Sequence, residues 1–254
     1  MKHQFLDHHR EGDSPVHLLD PRLKIVIMLL FITLVVMVSY ERKPWLLFYL
    51  LIPLLLAWLS RISILHFLSK LFKLYPMIFL ITVFIPFFPL PGETPQHLLG
   101  ITVSISGLHT FLLINVKSIL ALFISIVLTS TTDFMMLLKG LEKLRVPSLI
   151  TAIISFMYRF VFLLIDEVER MILAYQSRYF KLALGKRLKF IASMIGLLFI
   201  RTYERGERIY LAMESRGFQG TIHTLNDLRW KKSDTIAAVI FVIILFIPLF
   251  TFTF

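Results

Sequence analysis

The stretch "PSLITAIISFMYRFVFLLIDEVERMILAYQSRYF", Pro147 to Phe180, decides how this chain is organised. Its first part, Pro147 to Ile165, is largely apolar, carries no charge apart from Arg159 and nears the roughly 20 helical residues that cross a bilayer. Its second part, Asp166 to Phe180, is heavily charged. If the first part crossed, Lys181, Lys186, Arg187 and Lys189 would lie outside, against the tendency of basic residues to stay cytoplasmic. The next apolar stretch, Phe190 to Ile200, has 11 residues and is too short to bring the chain back. One long helix from Pro147 to Phe180, starting at the membrane face, fits both facts. Its apolar half packs on other helices or lies at the interface, and its charged half is cytoplasmic.

Upstream lie four apolar runs: Leu23 to Tyr40, Trp45 to Leu59 with Pro53 as a kink, Leu74 to Leu90, and about Ile105 to Ser130. The third carries Pro76, Pro86 and Pro89, so its far end should be broken. Downstream, Ile236 to Phe254 has no charge at all. The chain of 254 residues is 57% hydrophobic with a mean hydropathy of +0.79. Soluble domains run about 45–50% apolar. The fold class is therefore an all-α polytopic membrane protein with about five transmembrane helices. "DPR" opens the first run, with Asp20 placed to cap the helix and Pro21 suited to its first position.

Charge sets the orientation. The block from Asp133 to Lys232 holds 17 of the 27 Lys and Arg and should be cytoplasmic. "PGETPQHLLG", Pro91 to Gly100, is a turn-rich loop without Lys or Arg and should be outside. The N-terminus is then inside, in agreement with Lys2, Arg10, Arg22 and Lys24, and the C-terminus outside. Only Arg42 and Lys43, in a very short outer loop, disagree. The net charge of +11 reads as this asymmetry and not as a nucleic-acid surface, because no recognition module accompanies it. The start "MKHQFLDHHREGDSP" places acids and histidines before any apolar run, unlike a cleavable signal.

Within the basic block one device is written twice. "DEVERMILAYQSRYF" (Asp166–Phe180) lies over "ERGERIYLAMESRGF" (Glu204–Phe218) at an offset of 38 residues, with seven of fifteen positions identical. Glu169, Leu173 and Ser177 are spaced by four, as are Arg170, Ala174 and Arg178, so the two rows share one helix face. That face is small at its centre and ends in an arginine, whose guanidinium offers five donors to carboxylates or carbonyls. Gly217 suits a left-handed helix stop, whereas Tyr179 holds the matching place in the first copy. The candidate docking residues are Ala174, Ser177, Arg178 and Tyr179, and Ala212, Ser215, Arg216 and Gly217. A solvated helix tail explains one such end, since arginine near a C-terminus complements the helix dipole. Two ends in matching phase point to helix-in-groove docking on two similar partners.

Absences narrow the chemistry. There are no cysteines, hence no disulfide, thiolate metal site or cysteine nucleophile. No phosphate loop occurs; Gly185-Lys186 is followed by Arg187 and lacks the upstream glycine. Lys117 is the main charge inside the spans, and snorkelling or pairing with an acid elsewhere accounts for it. His3, His8, His9 and His17, with Asp7, Asp13 and Asp20, are ligand types at irregular spacing and read as a solvated N-terminal segment. Glu167/Arg170 and Glu204/Arg208 read as pairs within one helix. No catalytic residue, metal site or cofactor is assigned. A membrane-embedded enzyme would need a nucleophile or metal constellation in the spans, and none is visible.

"GDSPVHLLDPRLK" (Gly12–Lys24), "YERGERIYLAMESRGF" (Tyr203–Phe218) and the paired "SR" helix ends resemble the transmembrane T component of energy-coupling-factor transporters, the CbiQ/EcfT family. The resemblance runs from Gly12 to Gly220 and leans to the cobalt-type branch. It implies a non-catalytic subunit of an ABC-type importer in the cell (cytoplasmic) membrane. Its implied partners are two ABC-type ATPases, which carry the ATP, and a small membrane subunit that captures substrate. It also implies two long crossed helices, each seating an Ala-Arg-Gly-like end in a groove of one ATPase; here these are Ser177-Arg178-Tyr179 and Ser215-Arg216-Gly217. The expected organisation is a cytoplasmic segment 1–22, a four-helix membrane region 23–130, cytoplasmic coupling helices 131–232 and a last transmembrane helix 233–254. The expected cargo is a cobalt or nickel ion. The alternatives are a shared component for vitamins such as biotin, riboflavin, folate or cobalamin, or a membrane scaffold without transport.

Overall fold

A computed structural model describes residues 14–38, 43–60, 64–87, 96–98, 101–177, 184–218, 220, 228 and 230–250. The protein is an all-α polytopic membrane protein. Its helices are α1 (Pro21–Met37), α2 (Lys43–Leu59), α3 (Ile64–Thr82), α4 (Ile105–Thr131), α5 (Phe134–Lys143), α6 (Ser148–Gln176), α7 (Leu184–Glu214) and α8 (Lys232–Phe250). Among the described residues, Phe67–Phe87, Ile105–Thr131 and Ser148–Gln176 are apolar and long enough to cross a membrane, and Trp45–Leu59 is a shorter apolar helix. A two-stranded hairpin, β1 (Gln96–Leu98) and β2 (Ile101–Val103), pairs Gln96 with Val103 and Leu98 with Ile101; its first strand lies inside the stretch expected to be a turn-rich loop and its second just after it. The chain divides into two compact units, one drawn from Gln4–Gly140 and Leu228–Phe254 and the other from Leu141–Asp227.

The first unit holds the core. Phe31, Leu34 and Val35 of α1, Tyr49 and Ile52 of α2, Leu120 and Ile124 of α4 and Leu245 of α8 form one buried cluster. Phe31 and Tyr49 meet edge to face at 5.9 Å, and the Tyr49 hydroxyl donates to the Leu245 carbonyl at 3.3 Å. Helix α4 packs on α1, α2 and α3, and α8 packs on α1. In lipid such packing is held by close contact and interhelical hydrogen bonds, because the hydrocarbon is as apolar as leucine. Asn115 of α4 supplies a polar junction. Its amide donates to Thr82 Oγ1 at 3.2 Å and to the Phe111 carbonyl at 2.8 Å, and it accepts from the Tyr75 hydroxyl at 3.0 Å.

The third span differs from its expected Leu74–Leu90. Helix α3 begins ten residues earlier, at Ile64, and ends at Thr82, followed by a 3-10 turn at Ile85–Phe87. Lys70 and Lys73 interrupt the apolar run without breaking the helix, since lysine is a good helix former. Lys70 Nζ donates to Ser130 Oγ on α4 at 3.0 Å. The broken far end is as expected. There Gly107 meets the turn so closely that a Cβ would lie 3.1 Å from Pro86 Cα.

The "DPR" motif opens α1 as read: Asp20 caps, accepting from the Arg22 amide at 2.8 Å, and Pro21 takes the first turn. The structure adds what the motif holds. Lys24 Nζ donates to the carbonyls of His17 (3.2 Å) and Thr131 (3.1 Å) and to Thr132 Oγ1 (3.1 Å), tying the start of α1 to the end of α4. Asp234 in the first turn of α8 is 1% exposed and accepts from the Asp20 amide at 3.2 Å and the Lys231 amide at 2.8 Å. Arg22 reaches the Leu228 carbonyl at 3.2 Å. Among the described residues Lys117 pairs with no acid; its Nζ donates at 2.8 Å to the Val36 carbonyl, one of the orphan acceptors at the end of α1.

Candidate functional site

The second unit is a pair of long helices. Ser148 to Gln176 forms one unbroken helix, α6, with Pro147 at its N-cap, where a helix from Pro147 to Phe180 was expected; Arg178 to Phe180 lie outside the described residues, and Phe190 to Ile200 lies inside the 31-residue α7. Three contacts set their course. Tyr175 stacks on Phe190 at 3.9 Å, Glu167 bonds Arg201 at 2.6 Å, and Phe156 meets Phe218 at 6.4 Å. The partners rise along α7 as they fall along α6, so the helices run antiparallel. Glu167 also accepts from Arg170 at 2.6 Å, so a pair expected within one helix is also a bridge between two. A cleft of about 480 Å3 opens between the helices, lined by Met171, Tyr175, Phe190, Met194 and Leu197 among others. Glu204 and Arg208 stay within α7, at 3.9 Å.

The duplicated face is exposed in both copies. Glu169, Arg170, Leu173, Ala174 and Ser177 are all exposed, and so are Glu207, Arg208, Leu211, Ala212, Ser215 and Arg216. Leu173 is 63% and Leu211 56% exposed. Ala174 also lines the cleft.

The two serines do the same local work. Ser177 Oγ donates to the Ala174 carbonyl at 2.9 Å, and Ser215 Oγ to the Ala212 carbonyl at 3.0 Å. Each hydroxyl thus bonds a carbonyl of the last turn, and in the second copy the Arg216 amide goes to the Met213 carbonyl and leaves that of Ala212 to the serine. The second copy then stops as its glycine predicts. Gly217 has φ +79°, its amide donates to the Glu214 carbonyl at 2.9 Å, and the Phe218 amide returns to the Met213 carbonyl at 3.1 Å. These two bonds with a left-handed residue between them are the Schellman stop. Arg216 is the cap residue of that stop, exposed at the helix tip. Arg178 and Tyr179 lie outside the described residues, as do His3, His8, His9, Asp7 and Asp13. Ser177, the last described residue of the first copy, is still in helical geometry (φ −68°, ψ −22°).

The antiparallel course separates the copies. Ser177 lies beyond Tyr175 at one end of the hairpin, while Phe218 sits beside Phe156 at the other. At 1.5 Å per residue, the stretch of α6 from Phe156 to Ser177 puts the two ends about 30 Å apart. Sequence offset alone hides this, because it reports neither the direction of α7 nor its partner. The Glu167–Arg201 bridge and Asp234 were missed for a like reason: each partner is distant along the chain.

A comparison with known families matches residues 12–226 to the family described as cobalt transport protein, CbiQ. The chain is 30% identical over 262 residues to the energy-coupling factor transporter transmembrane protein EcfT of Lactococcus lactis subsp. cremoris, covering 96% of both chains. It is 32% identical over 248 residues to the protein of that name from Streptococcus equi subsp. equi, covering 92% of this chain and 91% of the relative. A protein of Methanocaldococcus jannaschii is 31% identical over 234 residues, or 89% of this chain.

Proposed function

Because this chain belongs to the CbiQ/EcfT family of transporter transmembrane proteins, we propose that it is the coupling subunit of an energy-coupling-factor importer. The observation that carries this reading is the pair of exposed, serine-tied helix ends about 30 Å apart on one hairpin. Two ends of like construction and opposite position suit two partner subunits of like fold, one per end. The partners are two ABC-type ATPases, which supply the phosphate loop that this sequence does not contain. ATP-driven closure of the ATPases moves the two seated ends, and the hairpin passes that movement to the membrane helices and to a small substrate-capture subunit. The coupling helices and the N-terminus are cytoplasmic, and the C-terminus is outside. The segments are 1–22, 23–130, 131–232 and 233–254, as read from charge.

The cargo is a cobalt or nickel ion, in line with the description of the matching family. A shared vitamin importer is the second reading, because the named relatives carry no metal in their names. Arg178→Glu and Arg216→Glu each invert the charge of the duplicated motif's arginine. Each is expected to weaken co-purification of the ATPases by about tenfold or more, the size of a modest interface hot spot, with insertion unchanged. Loss from the double variant should exceed either single loss. If both single variants keep full complex and full uptake, the docking assignment is wrong. Uptake of radiolabelled cobalt against biotin and riboflavin, with the substrate-capture subunit encoded nearby, decides the cargo.

A further inference from the structure

The chain leaves the membrane unit after Gly140 and returns to it at Leu228, and one short stretch at the start of α1 touches both places. On the leaving side, Gly140 of α5 is buried against the first turns of α1. A Cβ at Gly140 would lie 3.1 Å from Ile25 Cδ1, 3.3 Å from Pro21 Cβ and 3.4 Å from the Arg22 amide nitrogen. Just upstream of α5, Lys24 Nζ holds the Thr131 carbonyl and the Thr132 hydroxyl, both at 3.1 Å. On the returning side, Arg22 Nη2 donates to the Leu228 carbonyl at 3.2 Å. Asp234 then ties α8 to α1 by accepting from the Asp20 amide. Asp20 Oδ1 lies 3.7 Å from Arg22 Nε and so aims the guanidinium. Departure and return meet at Arg22: its backbone borders Gly140 and its side chain holds Leu228.

From this we infer that Asp20–Lys24 is a clamp on the two roots of the segment 141–227, with Arg22 as the positioning residue through which that segment moves the membrane helices. The inference rests on the coupling role proposed above and adds the residues that transmit the movement. Two roots fixed to one helix turn cannot drift apart, so displacement of the segment between them is not absorbed as slack at its ends. It acts instead on α1, whose Phe31, Leu34 and Val35 pack with Tyr49, Leu120 and Leu245 in the core. A close-packed core yields little and transmits strain. The bonds suit a load, because those to charged groups are stronger than neutral ones. Asp234 and Lys24 are also buried, at 1% and 8% exposure, where little water competes for their partners. The clamp is far in sequence from the arginine-tipped ends, so its loss leaves ATPase docking in place.

Two readouts test this. In proteoliposomes, the complex with its ATPases and substrate-capture subunit gives uptake per ATP hydrolysed, read with radiolabelled cobalt, or with riboflavin where the parent carries that instead. Amide exchange of the full chain reads the clamp itself. In Arg22→Gln, ATPase binding and hydrolysis should persist while uptake per ATP falls about fivefold or more, the lower end of couplings between sites. Exchange at Leu141–Leu144 and at Leu228–Lys231 should quicken together by about tenfold, as loss of one charged hydrogen bond predicts. Arg22→Lys, which keeps the charge but not the planar fork, should recover part of both effects. Gly140→Ala pushes on Arg22 from the leaving side and should quicken exchange at Leu228–Lys231 as well as at its own root. Exchange that quickens at one root only, in either variant, overturns the clamp. Uptake per ATP at the parent level while both roots loosen overturns its part in coupling. A parent chain that draws no ATPase refutes the coupling role of the chain instead, and exchange then judges the clamp alone. If Arg22→Gln fails to fold, Gly140→Ala carries both readouts.

Discussion

At the scale of single residues, two helix ends share one geometry and differ in the residue that bears it. Helix α5 stops with Arg145 at φ 71°, its amide bonded to the Glu142 carbonyl and the Val146 amide returning to the Leu141 carbonyl. Helix α7 stops in the same way with Gly217. Left-handed geometry crowds a Cβ against the following carbonyl and costs about 1–2 kcal/mol for most residues other than glycine, less for asparagine. Arg145→Gly should therefore stabilise the α5 stop by about 1 kcal/mol, read as slower amide exchange at Val146. Gly217→Val should loosen the tip of α7 by at least as much, with faster exchange at Phe218. Nothing lies within 4 Å of the Cβ position at Gly217, so that loss is conformational and not steric. Gly217→Asn, which tolerates the left-handed region, should lose less. The buried end of Lys24 makes a different kind of demand. Lys24→Met leaves three acceptors without their donor, two of them backbone carbonyls. A loss of about 3 kcal/mol is expected in a detergent thermal melt.

Elements differ in how far neighbours constrain them, and glycine reports it. In α4, a Cβ at Gly107 would press on Pro86 Cα at 3.1 Å and the Ile85 carbonyl at 3.2 Å, backbone that cannot swing away. Gly107→Ala should cost about 1–3 kcal/mol, as overpacking does, and should lower the melting temperature of the membrane unit. In α7, Gly206 meets nothing within 4 Å. Gly206→Ala should gain about 0.5–1 kcal/mol of helix propensity, seen as slower exchange in the middle of α7. Opposite outcomes from one substitution type would distinguish a packed helix from an open one. The positions of α4 and α6 were legible, because an apolar period followed by charge names a helix whatever packs on it. The start of α3 was not. Its lysines at 70 and 73 lowered the hydropathy of a stretch that hydrogen bonding to α4 and good propensity keep helical.

For the whole molecule, burial is unevenly shared. The continuous core, from Val16 through Phe31 and Leu120 to Leu245, lies in the unit built on Gln4–Gly140 and Leu228–Phe254. In the other unit the 31-residue α7 has no buried residue. A long helix held by one partner helix and few contacts opens readily. In the lone chain, trypsin should cut first at Arg201, Arg205 and Arg208, and α7 amides should exchange at least about tenfold faster than those of α4. Assembly with the ATPases should protect the tip at Ser215–Phe218. Exchange in α7 as slow as in α4 without any partner would contradict an open coupling hairpin.

Class, the long helix after Pro147 and the left-handed stop at Gly217 were legible because each depends on local chemistry: apolar length, helical spacing and a glycine where the chain must turn left-handed. A repeated motif reports likeness, and sequence determined that much. Only the tertiary structure decided that α7 returns antiparallel along α6, through Tyr175–Phe190, Glu167–Arg201 and Phe156–Phe218. That return places the like ends at opposite ends of one hairpin. It also decided that Asp20 and Asp234, 214 residues apart, close one junction. Such pairings are set by which faces meet after folding, and no local spacing encodes a partner that distant.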